Sequence, residues 1–407
     1  MKRVALLLMA LVAPPFACAE ESAPPAEPMS SHEAHDHDAD ARAARISLYL
    51  TGVYGQLQQD PAMPATGFAL SPNNANLEKG FNLKESELIF SGAVNPRLSG
   101  LASFALTPAG VVTVENAYLD STLPGHGTNL RFGRFFSEIG LLNPLHAHHW
   151  DFVDQPLIYR TLWDNQLGDD GVQLKWRSDT ESGLEFGGEL GRGRGFPGTD
   201  RNKNGAGAGA LFARLKGSSG PEQHWRISLS AHQTRQADNL STGVPDLPGT
   251  PGGVAMTFSG DVRTLGAGFQ WQQGDEHEPA LRLQGEYFRR QQNGVLTYAL
   301  LTPSSYALTQ SGGYLQGVHT LRPEWRLGLR YDWLDAGSAL VGAANAANVI
   351  SRYGYLPHRL TVMCDYGDEG QRIRLQLAQD RSRQNLPDNQ LLLQYVMRIG
   401  DAVQHSH

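Results

Sequence analysis

Cysteine is almost missing from these 407 residues: Cys18 and Cys364 are the only two. Cys18 lies in the opening stretch "MKRVALLLMALVAPPFACAEE". Its charged start, short apolar run and Ala-Cys-Ala cleavage site predict a secretory signal peptide over residues 1–19, with a lipid anchor on Cys18 as the alternative. An exported chain processed after Ala19 keeps one thiol and no internal disulfide, so it must stabilise itself by other means. Long apolar runs are missing as well. None beyond the signal approaches the roughly 18 residues of a membrane-spanning helix, which excludes a helical membrane protein. Lysine is scarce, six of the 34 basic residues, so cationic chemistry falls to arginine. No nucleophile and base stand in an order that sequence can pair, so no enzyme is expected. The pattern "GRGRG" at 191–195 enters no helix, and "DRNKNG" at 200–205 starts like a calcium loop but meets Leu211 where the twelfth-position acid belongs. Neither nucleotide nor nucleic acid is an expected partner.

What is present is glycine (45 residues) and aromatic side chains (13 Tyr, 15 Phe, 7 Trp). With a mean hydropathy of -0.36 and an export signal, this composition still suits a membrane protein built as a β-barrel, which crosses lipid without a long apolar run. Residues 20–45, "EESAPPAEPMSSHEAHDHDADARAAR", hold seven acids, two arginines and nothing that could form a core. They are expected to be a disordered periplasmic tail. Within it, His32, His35 and His37 alternate with acids, a ligand set that suits zinc and other divalent transition metals. A solvated acidic spacer is the plainer reading.

From residue 46 the pattern changes to period two. In "EWRLGLRYDW", Trp325, Leu327, Leu329, Tyr331 and Trp333 fall on one face, with Arg326, Arg330 and Asp332 on the other. "QRIRLQLAQD" and "NQLLLQYVMRIG" repeat the alternation. About sixteen such segments can be placed between residues 46 and 400, an even number as a bacterial barrel requires. Short connections such as "NPR", "LRPE" and "DEG" alternate with long ones at 58–80, 138–167, 193–206, 236–257, 292–308 and 335–355. The expected fold is therefore all-β: a transmembrane antiparallel barrel over 46–400 with short periplasmic turns and long extracellular loops, followed by a histidine-containing tail at 401–407. Trp225, Tyr287, Trp325, Trp333 and Tyr395 fall on the apolar faces, where interfacial aromatic girdles sit.

If the apolar alternates meet lipid, the others meet the lumen. They bring Lys175, Arg177, Arg226, Arg282, Arg326, Arg330, Arg372, Arg374 and Arg398 inside, with fewer acids, chiefly Glu286, Asp332 and Asp380. Fixed guanidinium groups draw anions into a pore. Pairing across the lumen, merely to stiffen the wall, is the competing reading. The longest connection, 138–167, is too apolar to stand in water and is expected to fold into the barrel and narrow it. It carries His146, His148, His149 and Asp151, three or four candidate ligands for a divalent metal, though in no standard zinc spacing.

The stretch "NLRFGRFFSEIGLLNPLHAHHWDFVDQPL" followed by "GDDGVQLKW" resembles the phosphate-selective porin superfamily, as do "GFPGTDRNKNGAGA" and the closing "DNQLLLQYVMRIG". The resemblance spans most of 46–400. It implies a sixteen-stranded channel, as a homotrimer, in the outer membrane of a Gram-negative bacterium. The family's ladder of pore arginines has no residue-by-residue match here, so phosphate selectivity is not implied. The sequence thus predicts a passive channel for small hydrophilic solutes that favours anions. The alternative is an outer-membrane protein that binds or takes up a divalent metal such as zinc through its histidine-rich tail and loop.

Overall fold

A computed structural model describes residues 44–60, 65–68, 78–107, 110–123, 127–178, 183–199, 204–242, 256–275, 279–298, 302–345 and 354–400. The strands in chain order are β1 (Arg45–Gln56), β2 (Gly80–Asn95), β3 (Leu98–Leu106), β4 (Val112–Thr122), β5 (Thr128–Phe136), β6 (Gly168–Arg177), β7 (Glu185–Gly191), β8 (Ala208–Gly220) and β9 (Gln223–Thr242). There follow β10 (Met256–Gly274), β11 (Pro279–Tyr298), β12 (Thr302–Arg322), β13 (Trp325–Asp335), the two-residue β14 (Leu340–Val341), β15 (His358–Gly367), β16 (Gln371–Arg381) and β17 (Asp388–Gly400). Each long strand pairs antiparallel with its neighbours, and β17 returns to β1 in register Ser47↔Gly400 through Gln56↔Leu391. The result is a closed sixteen-stranded barrel, with β14 as a short flap on β12. Closure leaves no unpaired edge, which is what lets strands stand in lipid.

The two faces sort as period two requires. Along β16, Ile373, Leu375 and Leu377 are exposed on the outside while Arg374, Gln376 and Asp380 are buried inside. Along β13, Leu327, Leu329 and Tyr331 point out, and Arg330 and Asp332 point in. Tyr287, Trp325 and Tyr395 stand exposed on the outer surface, as an aromatic girdle needs.

Strands β9 to β12 differ from expectation. They run 19 to 21 residues, about twice the 9–11 that cross the hydrocarbon layer, and take over chain that the sequence pattern gives to loops. Outside lipid neither face has to be apolar, so the alternation fades in stretches such as Gln291-Gln292-Asn293-Gly294 although the ladder continues. This raised wall holds its own apolar cluster, with Phe196, Phe258, Val262, Leu296 and Tyr306 buried together.

Candidate functional site

The chain between β5 and β6, residues 138–167, lies against inward-facing side chains of the barrel. Its centre is a helix, α1 (Leu157–Trp163), where the sequence pattern gives only a loop. Pro156 opens it and Asp164, in the left-handed region at φ 54°, ends it. Six of its seven residues are buried, so no face of the helix is left for water. Ile158, Tyr159, Leu162 and Trp163 pack with Ile139 and Leu142 onto Phe288, Tyr314 and Leu334 of the wall. Burying one such side chain is worth about 1.5–3 kcal/mol. Polar groups in this apolar half are answered individually. Asp332 accepts the first helical N–H, from Leu157, at 3.0 Å. Glu286 accepts from the Leu141 N–H (2.7 Å), the Tyr159 hydroxyl (2.8 Å) and the Tyr314 hydroxyl (2.6 Å). Gly140, at φ 66°, is required there: a Cβ would lie 2.2 Å from the Tyr159 oxygen.

The other half of the loop is fastened by charge. Asp151 accepts from Arg282 (2.8 Å) and Arg326 (3.0 Å). Asp154 is a hub: it binds Arg359, accepts from Arg330 (3.1 Å) and Gln376 (3.0 Å), and has Arg160 at 3.7 Å. Burial would raise both carboxyls, but the surrounding guanidinium groups prevail; Asp151 is held below its ordinary value and Asp154 far below. At the loop's start, Glu138 takes Arg214 at 2.5 Å and Lys175 at 3.3 Å.

The residues expected to line a pore do face inward, but as paired rather than free cations. Lys175 is joined to Glu138, Arg177 to Glu185 (2.8 Å) and Arg330 to Asp154 and Asp332. Arg374 and Arg326 share Asp365 at 3.2 and 2.6 Å, with Arg372 at 3.8 Å, and Arg398 lies 3.7 Å from Glu369. Arg226 is half-buried on the inner face of β9. A plain tally of arginines against acids leaves out two groups of partners: Glu138, Asp151 and Asp154, which the loop carries inside, and Glu185, Asp365 and Glu369 of the barrel.

The metal set expected from the loop is also redistributed. Asp151 is taken by arginines, and His149 is exposed with its ring 4.3 Å from that of His148. His146 instead contacts Glu87 of β2 through Nδ1, with Glu115 of β4 at 3.7 Å and Asn116 Nδ2 at 3.3 Å from Nε2. His148 bonds the other Glu87 oxygen at 2.9 Å and stacks on Tyr49, centroids 3.5 Å apart. Burial works against a charged imidazole at both. For His146 the two carboxylates more than offset it, pushing the ring up to about 10. For His148, burial and the neighbouring His146 charge both act downward. Among the described residues, Glu87, Glu115 and His146 are the one group of three potential ligands within reach of a single ion. His32, His35 and His37 lie outside the described residues.

Some of what was missed can be traced in the sequence. Arg359 and Asp365 fall on the inner face of "HRLTVMCDYG" by simple alternation. Glu87 and Glu115 do not, because each stands at a β-bulge: the register shifts beside Glu87 in β2, and Glu115 is the extra residue in β4 opposite the Ser103–Phe104 step. A bulge re-aims one side chain and breaks the period that would betray it.

A closed sixteen-stranded wall, apolar outside and charged within, with a long loop laid against its inner face, defines a porin-like outer-membrane β-barrel. Solved structures of that class agree. The chain is similar to the outer-membrane protein OmpT of Vibrio cholerae in a loop L8 deletion form (13% identity, TM-score 0.53, covering 88% of this chain and 100% of that one). It is likewise similar to the anion-selective porin from Comamonas acidovorans (11%, TM-score 0.52, 88% and 99%) and the outer-membrane channel DcaP of Acinetobacter baumannii (10%, TM-score 0.51, 88% and 98%). At these identities the likeness is one of fold. An uncharacterized protein of Aquifex aeolicus is 25% identical over 352 residues, 81% of this chain and 71% of its own. No protein-family model matches the chain.

Proposed function

We propose that this chain is a passive diffusion channel of a Gram-negative outer membrane, carrying small hydrophilic solutes past the 138–167 loop with a preference for anions. One observation carries the preference: where the loop meets the wall, the charged groups that most reach water are two cations, and the carboxylates they pair with are buried. Arg282 and Arg372 keep 28% and 26% of their side chains exposed, whereas their partners Asp151 and Asp365 keep 7% and 1%. In this belt seven guanidinium groups (Arg160, Arg282, Arg326, Arg330, Arg359, Arg372, Arg374) meet five acids (Asp151, Asp154, Asp332, Asp365, Asp380), an excess of two positive charges. A positive excess on low-dielectric walls raises the local concentration of anions.

The proposal covers anions as a class and stops short of phosphate. Zero-current potentials across planar bilayers under a KCl gradient test it. The expected sign is anionic, moving towards zero in the Arg282→Gln, Arg372→Gln double variant; a cation-selective potential, or one the double variant leaves unmoved, overturns it. Homotrimeric assembly, implied by the porin resemblance, is read from chemical crosslinking of the detergent-solubilised protein, where a dominant monomer band would refute it.

A further inference from the structure

We propose that Glu87, Glu115 and His146 form a binding site for one divalent first-row transition-metal ion, which clips the 138–167 loop to the barrel wall. One carboxylate oxygen of Glu87, one of Glu115 and a ring nitrogen of His146 all lie within 4.8 Å of one another. They come from three separate pieces of chain: β2, the bulge of β4, and the loop just ahead of the single 3-10 turn Ala147–His149. An ion bound to them ties the loop to two strands at once.

Three further features set this cluster apart from the other carboxylates inside the barrel. Asp151, Asp154, Asp365, Glu138 and Glu185 each have an arginine or lysine partner. The described residues show no arginine or lysine ion pair to Glu87 or Glu115. Glu189 and Glu286 share that trait but are answered by hydroxyl, amide and backbone N–H donors, whereas the ionisable groups turned towards Glu87 and Glu115 are imidazoles. Next, the side chains of Glu87, His146 and His148 are 3–6% exposed and that of Glu115 11%, so two carboxylates share one dry recess. Last, Nε2 of His148, whose Nδ1 holds Glu87, is buried and has no hydrogen-bond partner among the described residues.

Nitrogen with two carboxylate oxygens is a donor set of zinc, manganese, iron(II) or cobalt(II). Calcium and magnesium prefer all-oxygen shells. When the ion binds, Nδ1 of His146 gives up its proton to solvent and its lone pair goes to the metal. Nε2 then carries the ring hydrogen, beside the side-chain amide of Asn116 at 3.3 Å. His148 orients Glu87 from behind as a positioning residue.

Co²⁺ is the probe, because the d–d absorption of bound cobalt reports nitrogen and oxygen ligation directly. The full chain carrying His32, His35, His37, His405 and His407 all replaced by Ala removes the tails as competing sites. Titrated with Co²⁺ in detergent, it is expected to bind one equivalent, displaced by Zn²⁺ and left alone by excess Ca²⁺. Adding Glu115→Gln or His146→Gln should abolish that equivalent, with the folded barrel checked by its heat-dependent gel mobility. Failure of this five-histidine variant to bind cobalt overturns the proposal outright and does not depend on whether either added variant folds. A cobalt equivalent that survives Glu115→Gln in a folded barrel overturns it too. The ion selectivity of the channel is read separately in bilayers, so failure here leaves the channel proposal standing.

Discussion

The strongest consequence of the loop geometry concerns Asp154. Its carboxylate, 2% exposed, faces Arg330 and Arg359, which are 1% and 0% exposed. Asp154→Asn keeps the shape and the hydrogen-bonding oxygen but removes the charge that both guanidinium groups were placed to meet. Removing one partner of a buried ion pair costs about 3–5 kcal/mol. Arg330 keeps Asp332 at 3.0 Å, and Arg359 keeps Asp380 at 3.9 Å, so the lower end applies, about 3 kcal/mol. At roughly 1.4 kcal/mol per tenfold, the fraction of molecules with the loop undocked should rise about a hundredfold. Arg160 is the single trypsin site in residues 138–167, and it is reachable only when the loop leaves the wall. Where opening is fast relative to cleavage, the cut rate follows that population, so cleavage after Arg160 should accelerate by about two orders of magnitude. The same substitution takes one negative charge from the belt, so zero-current potentials should shift further towards anions. A folded Asp154→Asn barrel whose Arg160 is cut within twofold of the parent rate would refute the anchoring argument.

Acid should leave this anchor intact. A carboxyl whose folded value is depressed adds stability that is present above its unfolded value, about 3.9, and is lost only as the pH falls through the folded one. The difference in loop cleavage between parent and Asp154→Asn should therefore persist unchanged from pH 7 down to about pH 5, followed throughout with one acid-tolerant protease that cuts within the loop. Gly140→Ala forces a Cβ against the Tyr159 oxygen and the Glu286 carboxylate, at a φ that costs an L-residue about 1–2 kcal/mol. It should lower the temperature of the gel-mobility transition and speed loop cleavage together. Tyr159→Phe removes one of three donors to Glu286 and should cost about 1 kcal/mol, whereas Glu286→Ala leaves all three donors without an acceptor and should cost several times more. Equal effects of these two on the transition temperature would show that Glu286 is not the keystone of the apolar half.

The barrel was legible because lipid imposes one rule on every strand that crosses it. Leu327, Leu329 and Tyr331 must alternate with Arg326, Arg330 and Asp332, and nothing in a loop imitates that. Legibility ended where the rule stops acting. Beyond the lipid, β9 to β12 continue through stretches such as Gln291-Gln292-Asn293, where both faces are wet and hydrogen bonds alone extend the ladder. The inward fold of residues 138–167 could be read from Trp150, Phe152, Tyr159 and Trp163, which are too apolar for water. Their partners could not, because Phe288, Tyr314 and Leu334 are apolar residues on the inner face and look like noise in a period-two pattern until the loop arrives to cover them. The histidines were visible as a cluster, but the acids completing it sit at two bulges far along the chain.

The charges that hold the loop and the charges that set the field are one set, and this constrains how such a lumen can change. Arg330 and Arg359 are buried against Asp154 and can be altered only at the expense of docking. Arg282 and Arg372 are a quarter exposed, and each is one of several cations on its carboxylate: Asp151 also has Arg326, and Asp365 also has Arg326 and Arg374. Losing either outer arginine leaves its aspartate still compensated, so the penalty for an orphaned buried charge does not arise. Selectivity is therefore separable from stability at the exposed pair and inseparable from it at the buried pair. Neutralising Arg282 and Arg372 should change zero-current potentials while leaving Arg160 protected. Neutralising Arg330 or Arg359 should change both at once.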